Sequence, residues 1–219
     1  GDVAGSCIPD YLLCLLMNLN IDIDLVKGFL DPDEGEALFR CASEAAELGP
    51  VLEVGSYCGK STVYLAAACK AQGVSLYAVD HHRGSEEHQP GEEYHDESLF
   101  DEQSGLMDSF REFRQTIRAA ELEDTVVPVV SSSKVAAHNW ATPLSMVFID
   151  GGHSLAAATT DYSSWVSHII KGGLLAIHDI FPDPAEGGQA PFDMLKLALA
   201  SGLFDEIDRV KTLGVLRRV

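Results

Sequence analysis

The stretch Val51-Leu-Glu-Val-Gly-Ser-Tyr-Cys-Gly-Lys-Ser-Thr62 joins a short apolar strand to a helix through a loop with two glycines. A phosphate-binding P-loop has four residues between its first glycine and its Gly-Lys pair, whereas Gly55 and Gly59 enclose only three. A dinucleotide-binding loop needs a glycine where Tyr57 stands. The spacing that fits is acidic-x-Gly-x-x-x-Gly, beginning at Glu53. Taken alone, the loop is either a ligand-binding turn of this third kind or a structural strand-to-helix turn.

Around this loop, short apolar strands alternate with helical stretches. Continuous apolar strands separated by helices are typical of a parallel sheet that is covered on both faces. The sequence predicts an α/β fold with a doubly wound, Rossmann-like, mostly parallel seven-stranded sheet and an antiparallel C-terminal strand. The predicted strands are 51–55, 75–80, 126–130, 145–150, 174–179, 204–210 and 213–219.

We divide the chain into an N-terminal helical extension, residues 1–49, and a main domain, residues 50–219. Asp31 can cap the clearest helix of the extension, and Glu34 can close a capping box there. The extension could cover the active site or form a dimer contact. Both alternatives stay open, so a homodimer is one partner that we consider.

The chain is strongly acidic, since it has 34 Asp and Glu residues against 15 Lys and Arg residues, which gives a formal net charge of −19. Such a surface repels phosphate backbones and anionic lipids, which argues against nucleic acid and membranes as partners. The five cysteines show no metal-binding spacing and favour a reducing compartment. The apolar run at residues 11–17 is too short to span a bilayer. We therefore expect a cytoplasmic protein.

The second predicted strand ends at Asp80, 25 residues after Gly55, where an acidic side chain can accept both hydroxyls of a ribose. A glycine loop and a strand-end acid on consecutive strands resemble the class I S-adenosylmethionine-dependent methyltransferases, over roughly residues 50–219. The resemblance implies S-adenosylmethionine as cofactor, with Glu53 near its ammonium group and Ser132 near its adenine. The implied cofactor-binding residues are Glu53, Gly55, Ser56, Tyr57, Gly59, Ser61, Asp80, His81 and Ser132.

Acidic and imidazole side chains follow the fourth and fifth strands, in FIDGGH (148–153) and AIHDIFP (176–182). They resemble a metal-assisted O-methyltransferase group that includes macrolide-sugar methyltransferases and cephamycin-pathway proteins. The resemblance implies a divalent metal, Mg or Mn, held by Asp150, His178 and Asp179. His178 stands where that group commonly has an acid, which favours a softer metal such as manganese or iron over magnesium.

We predict that Asp150 and His153 are the catalytic residues, with His153 as the general base that removes the proton of an acceptor hydroxyl. A metal would hold the hydroxyl and lower its pKa. The alternative is that Asp150 and Asp179 only cap the helices that follow, and that the histidines are hydrogen-bonded residues of the rim.

The segment His81–Gly105 is too long for an ordinary connection and is rich in Glu and His. It is either a lid that excludes water during transfer or a plain solvated loop. We expect His81 and His82 to enter the site and His88 and His95 to lie on the surface. The helix after the loop is predicted to begin near Leu106, which shares helical spacing with Phe110, Phe113 and Ile117.

The phrases DHHRGSEE, FIDGGH and IHDIFPDP also resemble methyltransferases associated with mycofactocin glycan modification. This resemblance implies a small-molecule or glycan acceptor that offers a sugar hydroxyl. Two alternatives remain, a catechol-type small-molecule O-methyltransferase and a non-catalytic domain that binds S-adenosylmethionine. A nicotinamide-dependent oxidoreductase is disfavoured by the missing middle glycine.

Overall fold

The computed structural model describes residues 17, 19–85, 88–92, 95–152 and 154–219. Most of the segment before residue 19, and the predicted general base His153, lie outside these ranges. Within them, no helix is both long and apolar enough to cross a bilayer.

The strands of the described residues are β1 (Val51–Val54), β2 (Leu76–Val79), β3 (Phe100–Asp101), β4 (Leu106–Met107), β5 (Val126–Val129), β6 (Leu144–Ile149), β7 (Ile169–Ile177), β8 (Phe204–Val210) and β9 (Leu213–Arg218). Seven of them form one sheet in the order β5-β2-β1-β6-β7-β9-β8, and β3 and β4 pair separately as a small hairpin. The five neighbouring strands β5, β2, β1, β6 and β7 run parallel, while β9 is antiparallel to both of its neighbours, β7 and β8. The predicted mostly parallel sheet with a reversed C-terminal strand is confirmed.

Helices cover both faces of this sheet. They are α1 (Pro32–Ala46), α2 (Lys60–Gln72), α3 (Phe110–Ala119), α4 (Ser133–Ala136), α5 (Leu155–Trp165) and α6 (Ala190–Ala200). Successive strand residues point to opposite faces, so Val51 joins the apolar cluster under α1, α2 and α3, and Leu52 joins the cluster under α5 and α6. The two clusters make the fold doubly wound, as predicted. Helix α1 belongs to one of them, so this part of the N-terminal extension is built into the core of the main domain.

Helix α1 begins as predicted at its cap but not in its first turn. The Asp31 carboxylate accepts a hydrogen bond from the Asp33 N–H, at 2.9 Å. The predicted capping box is wrong, because the carboxylate of Glu34 points into the protein and accepts hydrogen bonds from Thr212 instead. Glu34 is buried, and its position bears on the site described below.

The segment before α3 differs from the prediction. Leu106 lies in strand β4 and is half exposed, and α3 begins at Phe110. Gly105 turns the chain with a φ of +68°, and the Asp108 carboxylate accepts the N–H of Phe110 at 3.0 Å. These two local features end the helical spacing before it reaches Leu106.

The contact between α1 and α2 can be tested at Gly35. A Cβ at this position would lie 2.5 Å from the ring of Tyr64, which is itself buried. Gly35→Ala would ordinarily favour a helix, but here we expect it to lower the free energy of unfolding by about 1–3 kcal/mol through overpacking. Chemical denaturation measures this, with Gly188→Ala as control, since a Cβ at Gly188 meets no atom within 4 Å. A Gly35→Ala protein as stable as the wild type would contradict this packing.

Candidate active site

A cavity of about 570 Å³ opens at the carboxyl ends of the parallel strands. This is the edge at which ligands bind in open α/β sheets. The loops after β1, β2, β5, β6 and β7 all contribute to it. Of the predicted site residues, the cavity is lined by Gly55, Ser56, Tyr57, Ser61, Asp80, His81, Ser132, Asp150, His178 and Asp179.

The two glycines of the first loop have different roles. Gly55 lines the cavity with a φ of +86°, and a Cβ there would lie 2.0 Å from the carbonyl oxygen of Asp150. This glycine therefore lets the loops after β1 and β6 touch. Gly59 does not line the cavity, and its Cβ would meet Thr116 of α3 at 3.2 Å. Gly59 thus shapes the turn into α2 and its packing against α3, and its predicted role in cofactor binding stays a prediction.

Glu53 lies beneath the glycine loop and not in the cavity. Its buried carboxylate accepts hydrogen bonds from Ser61 Oγ at 2.5 Å and Thr62 Oγ1 at 2.6 Å. Burial raises the pKa of Glu53 to about 7, against the hydrogen bonds of these hydroxyls. The carboxylate of Glu53 thus holds the start of α2, and its proximity to the ammonium group of the cofactor, directly or through water, stays a prediction.

Asp80 organises the first loop from the end of β2. Its Oδ2 accepts the N–H groups of Ser56 and Tyr57 at 3.0 and 2.8 Å, and its Oδ1 accepts the N–H of His82 at 2.7 Å. A carboxylate offers about four acceptor positions, so it can hold the loop and still accept a hydroxyl from the cavity. The predicted position of Asp80 beside a ribose agrees with this placement.

The histidines after Asp80 are arranged differently from the prediction. His81 lines the cavity, as expected. His82 is buried outside it, with its ring against Phe113 and its Nδ1 2.8 Å from the Ser109 hydroxyl, and burial lowers its pKa. His88, predicted for the surface, lines the cavity, and its ring lies tilted against Tyr57 with the centroids 5.2 Å apart. In this turn His81 is exposed and His82 is buried. The sequence does not indicate which of two adjacent histidines in a turn points inward.

Three side chains after β6 and β7 come together, as predicted. His178 Nδ1 lies 3.0 Å from Asp150 Oδ1 and 3.5 Å from Asp179 Oδ1. The two aspartate side chains are about a quarter exposed, whereas His178 is buried behind them. The second ring nitrogen, Nε2, lies 2.8 Å from Glu34 Oε2 on helix α1. Glu34 was missed from the sequence as a member of this cluster.

Charge holds the cluster together. Burial disfavours the charged form of His178, but the carboxylates of Asp150, Glu34 and Asp179 outweigh it and raise its pKa to about 11. For Glu34, burial is likewise outweighed by His178 and Thr212, so its pKa is lowered. A charged imidazole or a divalent cation beside a neutral imidazole could equally balance these carboxylates.

The donor set fits a divalent metal. Asp150, His178 and Asp179 each offer one ligand atom, and these atoms lie within 4.8 Å of one another. Two carboxylate oxygens and an imidazole nitrogen suit manganese or iron better than magnesium, which prefers oxygen ligands alone.

Backbone strain also gathers at this edge of the sheet. Tyr57, His82 and Asp179 adopt positive φ values of 47°, 58° and 57°, one in each loop after β1, β2 and β7. Non-glycine residues in this region are uncommon and tend to occur at functional sites. Asp179 thereby turns its carboxylate back toward His178.

Residues of the N-terminal extension, whose role the sequence does not decide, form one wall of the cavity. Lys27, Gly28, Phe29 and Leu30 all line it. Phe29 stacks on Tyr57 with ring centroids 6.3 Å apart, and Lys27 Nζ contacts Asp96 Oδ2 at 2.5 Å. The segment thus contacts the loops after β1 and β2 beside the cavity, which agrees with a covering role for the extension.

A sequence profile described as a methyltransferase domain matches residues 52–180, which is more than half of the chain. The chain belongs to this family of methyltransferases. The predicted membership of the class I S-adenosylmethionine-dependent methyltransferases is thereby confirmed, and the glycine loop and Asp80 lie within the matched residues.

Solved structures share the methyltransferase's fold. The O-methyltransferase NovP is 14% identical, with a TM-score of 0.69 over 96% of this chain and 99% of that one. TomG from Streptomyces achromogenes, an O-methyltransferase of tomaymycin synthesis solved with SAM, is 14% identical, with a TM-score of 0.59 over 98% and 92%. The Bacillus cereus O-methyltransferase solved with SAH is 16% identical, with a TM-score of 0.58 over 97% and 93%. At these identities the likeness concerns the fold.

Asp80→Asn tests the role of Asp80 in the methyltransferase. An amide has a single acceptor oxygen, so it cannot accept three backbone N–H groups and a ligand hydroxyl together. We expect the affinity for S-adenosylhomocysteine, measured by calorimetry, to fall about 10- to 100-fold. Asp101→Asn is the matched control, since Asp101 lies in the β3–β4 hairpin away from the cavity. Equal affinities for the Asp80→Asn protein and the wild type would contradict this role.

Glu53 makes stability depend on pH in a defined direction. Its pKa in the fold, about 7, lies above its usual 4.5, so the folded state binds more protons than the unfolded state between these values. The contribution of Glu53 to stability therefore falls as pH rises through this window. Between pH 5 and pH 8, the wild type should lose about 1–3 kcal/mol of unfolding free energy relative to Glu53→Gln. Denaturation curves measure this, and a constant difference between the two proteins would refute it. The exposed Glu123 supplies the control Glu123→Gln, which should parallel the wild type.

Proposed function

We propose that this methyltransferase transfers a methyl group from S-adenosylmethionine to a hydroxyl oxygen of a sugar or glycan-like small molecule, with Mg or Mn as divalent metal. The observation that carries the proposal is that one cavity holds two groups of residues. Gly55 and Asp80 lie on its cofactor side, and Asp150, His178 and Asp179 form a compact cluster of metal-binding type.

The cofactor half rests on the first two loops. S-adenosylmethionine supplies an electrophilic methyl group to a nucleophilic oxygen. Gly55 lines the cavity where the amino-acid part of the cofactor would lie, and Asp80 would accept ribose hydroxyls while it holds the loop in place. Ser132 stands at the end of β5, where a hydroxyl can meet the adenine.

The acceptor half rests on the cluster after β6 and β7. Asp150, His178 and Asp179 would hold the metal, which would lower the pKa of an acceptor hydroxyl. Asp150 and Asp179 face the cavity and can orient hydroxyl groups as acceptors of hydrogen bonds. His153 remains the general base predicted from the sequence. The O-methyltransferases of the same fold support oxygen as the acceptor atom.

An aromatic wall favours a ring-shaped acceptor. Tyr57 lies between Phe29 and His88, and all three rings line the cavity that contains the carboxylates. The C–H face of a sugar can pack on such rings while its hydroxyls meet Asp150 and Asp179. A catechol could use the same wall, and the acceptor panel below decides between the two.

The proposal is tested first by calorimetric titration with S-adenosylhomocysteine, and then by transfer of labelled methyl to sugars, short glycans and catechols with Mn²⁺ or Mg²⁺. We expect binding, and metal-dependent transfer to a sugar hydroxyl. Asp150→Asn should keep the affinity for S-adenosylhomocysteine and lower kcat/KM about 100-fold or more, because a metal contributes several kcal/mol to such steps. Asp183→Asn, an exposed change of the same charge beyond β7, should retain wild-type activity.

Each part of the proposal can fail separately. No binding of S-adenosylhomocysteine would refute S-adenosylmethionine as the cofactor. Transfer to catechols alone would refute the sugar acceptor in favour of a catechol, and binding without any transfer would favour a non-catalytic domain. Full activity of Asp150→Asn, or of the wild type after chelation, would refute the proposed metal dependence.

A further inference from the structure

Glu34 is a buried carboxylate that reaches the candidate metal cluster from behind. It lies on helix α1, does not line the cavity and is 144 positions away from His178 in the chain. Its Oε2 lies 2.8 Å from His178 Nε2, and both side chains are about 95% buried. A buried carboxylate is costly unless it is paired, so this contact is a built feature of the fold.

The contact decides which ring nitrogen of His178 faces the cluster. With Nε2 held by Glu34, the other nitrogen, Nδ1, points to Asp150 at 3.0 Å and Asp179 at 3.5 Å. An Nε2–H donated to Glu34 leaves the lone pair of a neutral imidazole on Nδ1. That is the nitrogen beside the two carboxylates.

Glu34 is itself held by the C-terminal hairpin. Its second oxygen, Oε1, accepts the Thr212 N–H at 2.8 Å and the Thr212 hydroxyl at 2.7 Å. Next to it, Lys211 Nζ bridges Asp31 and Asp33 at the start of α1, at 2.6 and 2.7 Å. The position of the carboxylate is therefore fixed from two sides.

We infer that Glu34 is a positioning residue, which holds His178 so that its Nδ1 joins Asp150 and Asp179 as a ligand of a divalent metal. Histidine ligands commonly donate their second ring N–H to a carboxylate, which fixes the tautomer and the ring orientation. The inference rests on the proposed metal-dependent function and adds to it a residue outside the cavity.

The test is Glu34→Gln in the full chain, with Glu36→Gln as matched control. Glu36 lies on the same helix, and it neither lines the cavity nor bonds to His178 among the described residues. A glutamine has one acceptor oxygen, so it cannot accept hydrogen bonds from both Thr212 and His178 Nε2–H as Glu34 does. If its amide N–H faces His178, the proton of the neutral imidazole moves to Nδ1. If its oxygen faces His178, the side chain loses its bonds to Thr212 and with them its fixed position. The readouts are Mn²⁺ affinity by electron paramagnetic resonance with S-adenosylhomocysteine present, S-adenosylhomocysteine affinity by calorimetry, and the melting temperature.

We expect Glu34→Gln to weaken Mn²⁺ binding about 10- to 100-fold. The affinity for S-adenosylhomocysteine should stay unchanged, and Glu36→Gln should match the wild type in both. If the pair of Glu34 and His178 were purely structural, Glu34→Gln would lower the melting temperature without this selective loss of Mn²⁺ affinity. Equal Mn²⁺ affinity in Glu34→Gln and the wild type overturns the inference. A wild type that binds S-adenosylhomocysteine but no Mn²⁺ overturns it as well and leaves methyl transfer standing. Absence of S-adenosylhomocysteine binding in the wild type instead refutes the proposed function.

Thr212→Val keeps the inference testable if Glu34→Gln does not fold. It removes one hydrogen bond to Glu34 Oε1 and leaves the backbone N–H and the contact with His178 in place. We expect Mn²⁺ affinity to fall about 2- to 10-fold, since one neutral hydrogen bond is lost. Unchanged Mn²⁺ affinity in this variant would again overturn the inference.

Discussion

The imidazole of His178, enclosed by the carboxylates of Glu34, Asp150 and Asp179, is the interaction on which the site depends. Three acidic groups so close together repel one another, and a positive charge on the imidazole between them offsets this repulsion. The three carboxylates come from α1 and from the loops after β6 and β7. Their common partner therefore ties the N-terminal helix to the edge of the sheet where ligands bind.

A second constraint is the close approach of the loops after β1 and β6 at Gly55. It brings the side of the cavity proposed for the cofactor next to the side proposed for the acceptor, at the contact between Gly55 and the Asp150 backbone. Methyl transfer requires the two substrates to meet within a few ångströms. In the proposed function, the loop contact would place the cofactor and the charge cluster would place the acceptor.

Local sequence signals predicted the sheet, the glycine loop, Asp80 and the pair Asp150 and Asp179, because strand ends and short loops are set by nearby residues. Strand alternation directs Glu53 beneath α2, and its bonds to Ser61 and Thr62 follow from that position. Glu34 was read as a capping residue, because its true partners lie far along the chain and its local pattern fits a capping box equally well. Contacts of this length follow only from the packed fold.

Thr212, which fixes Glu34, follows every other described residue of the cluster in the chain. The ribosome therefore delivers it last, after the glycine loop, Asp150 and His178 have been synthesised. The cluster around His178 therefore gains its last hydrogen-bond donor only when Thr212 is in place, next to the strand β9 that pairs with β7. Completion of this cluster is thus coupled to completion of the sheet, because its last hydrogen-bond donor directly precedes the C-terminal strand.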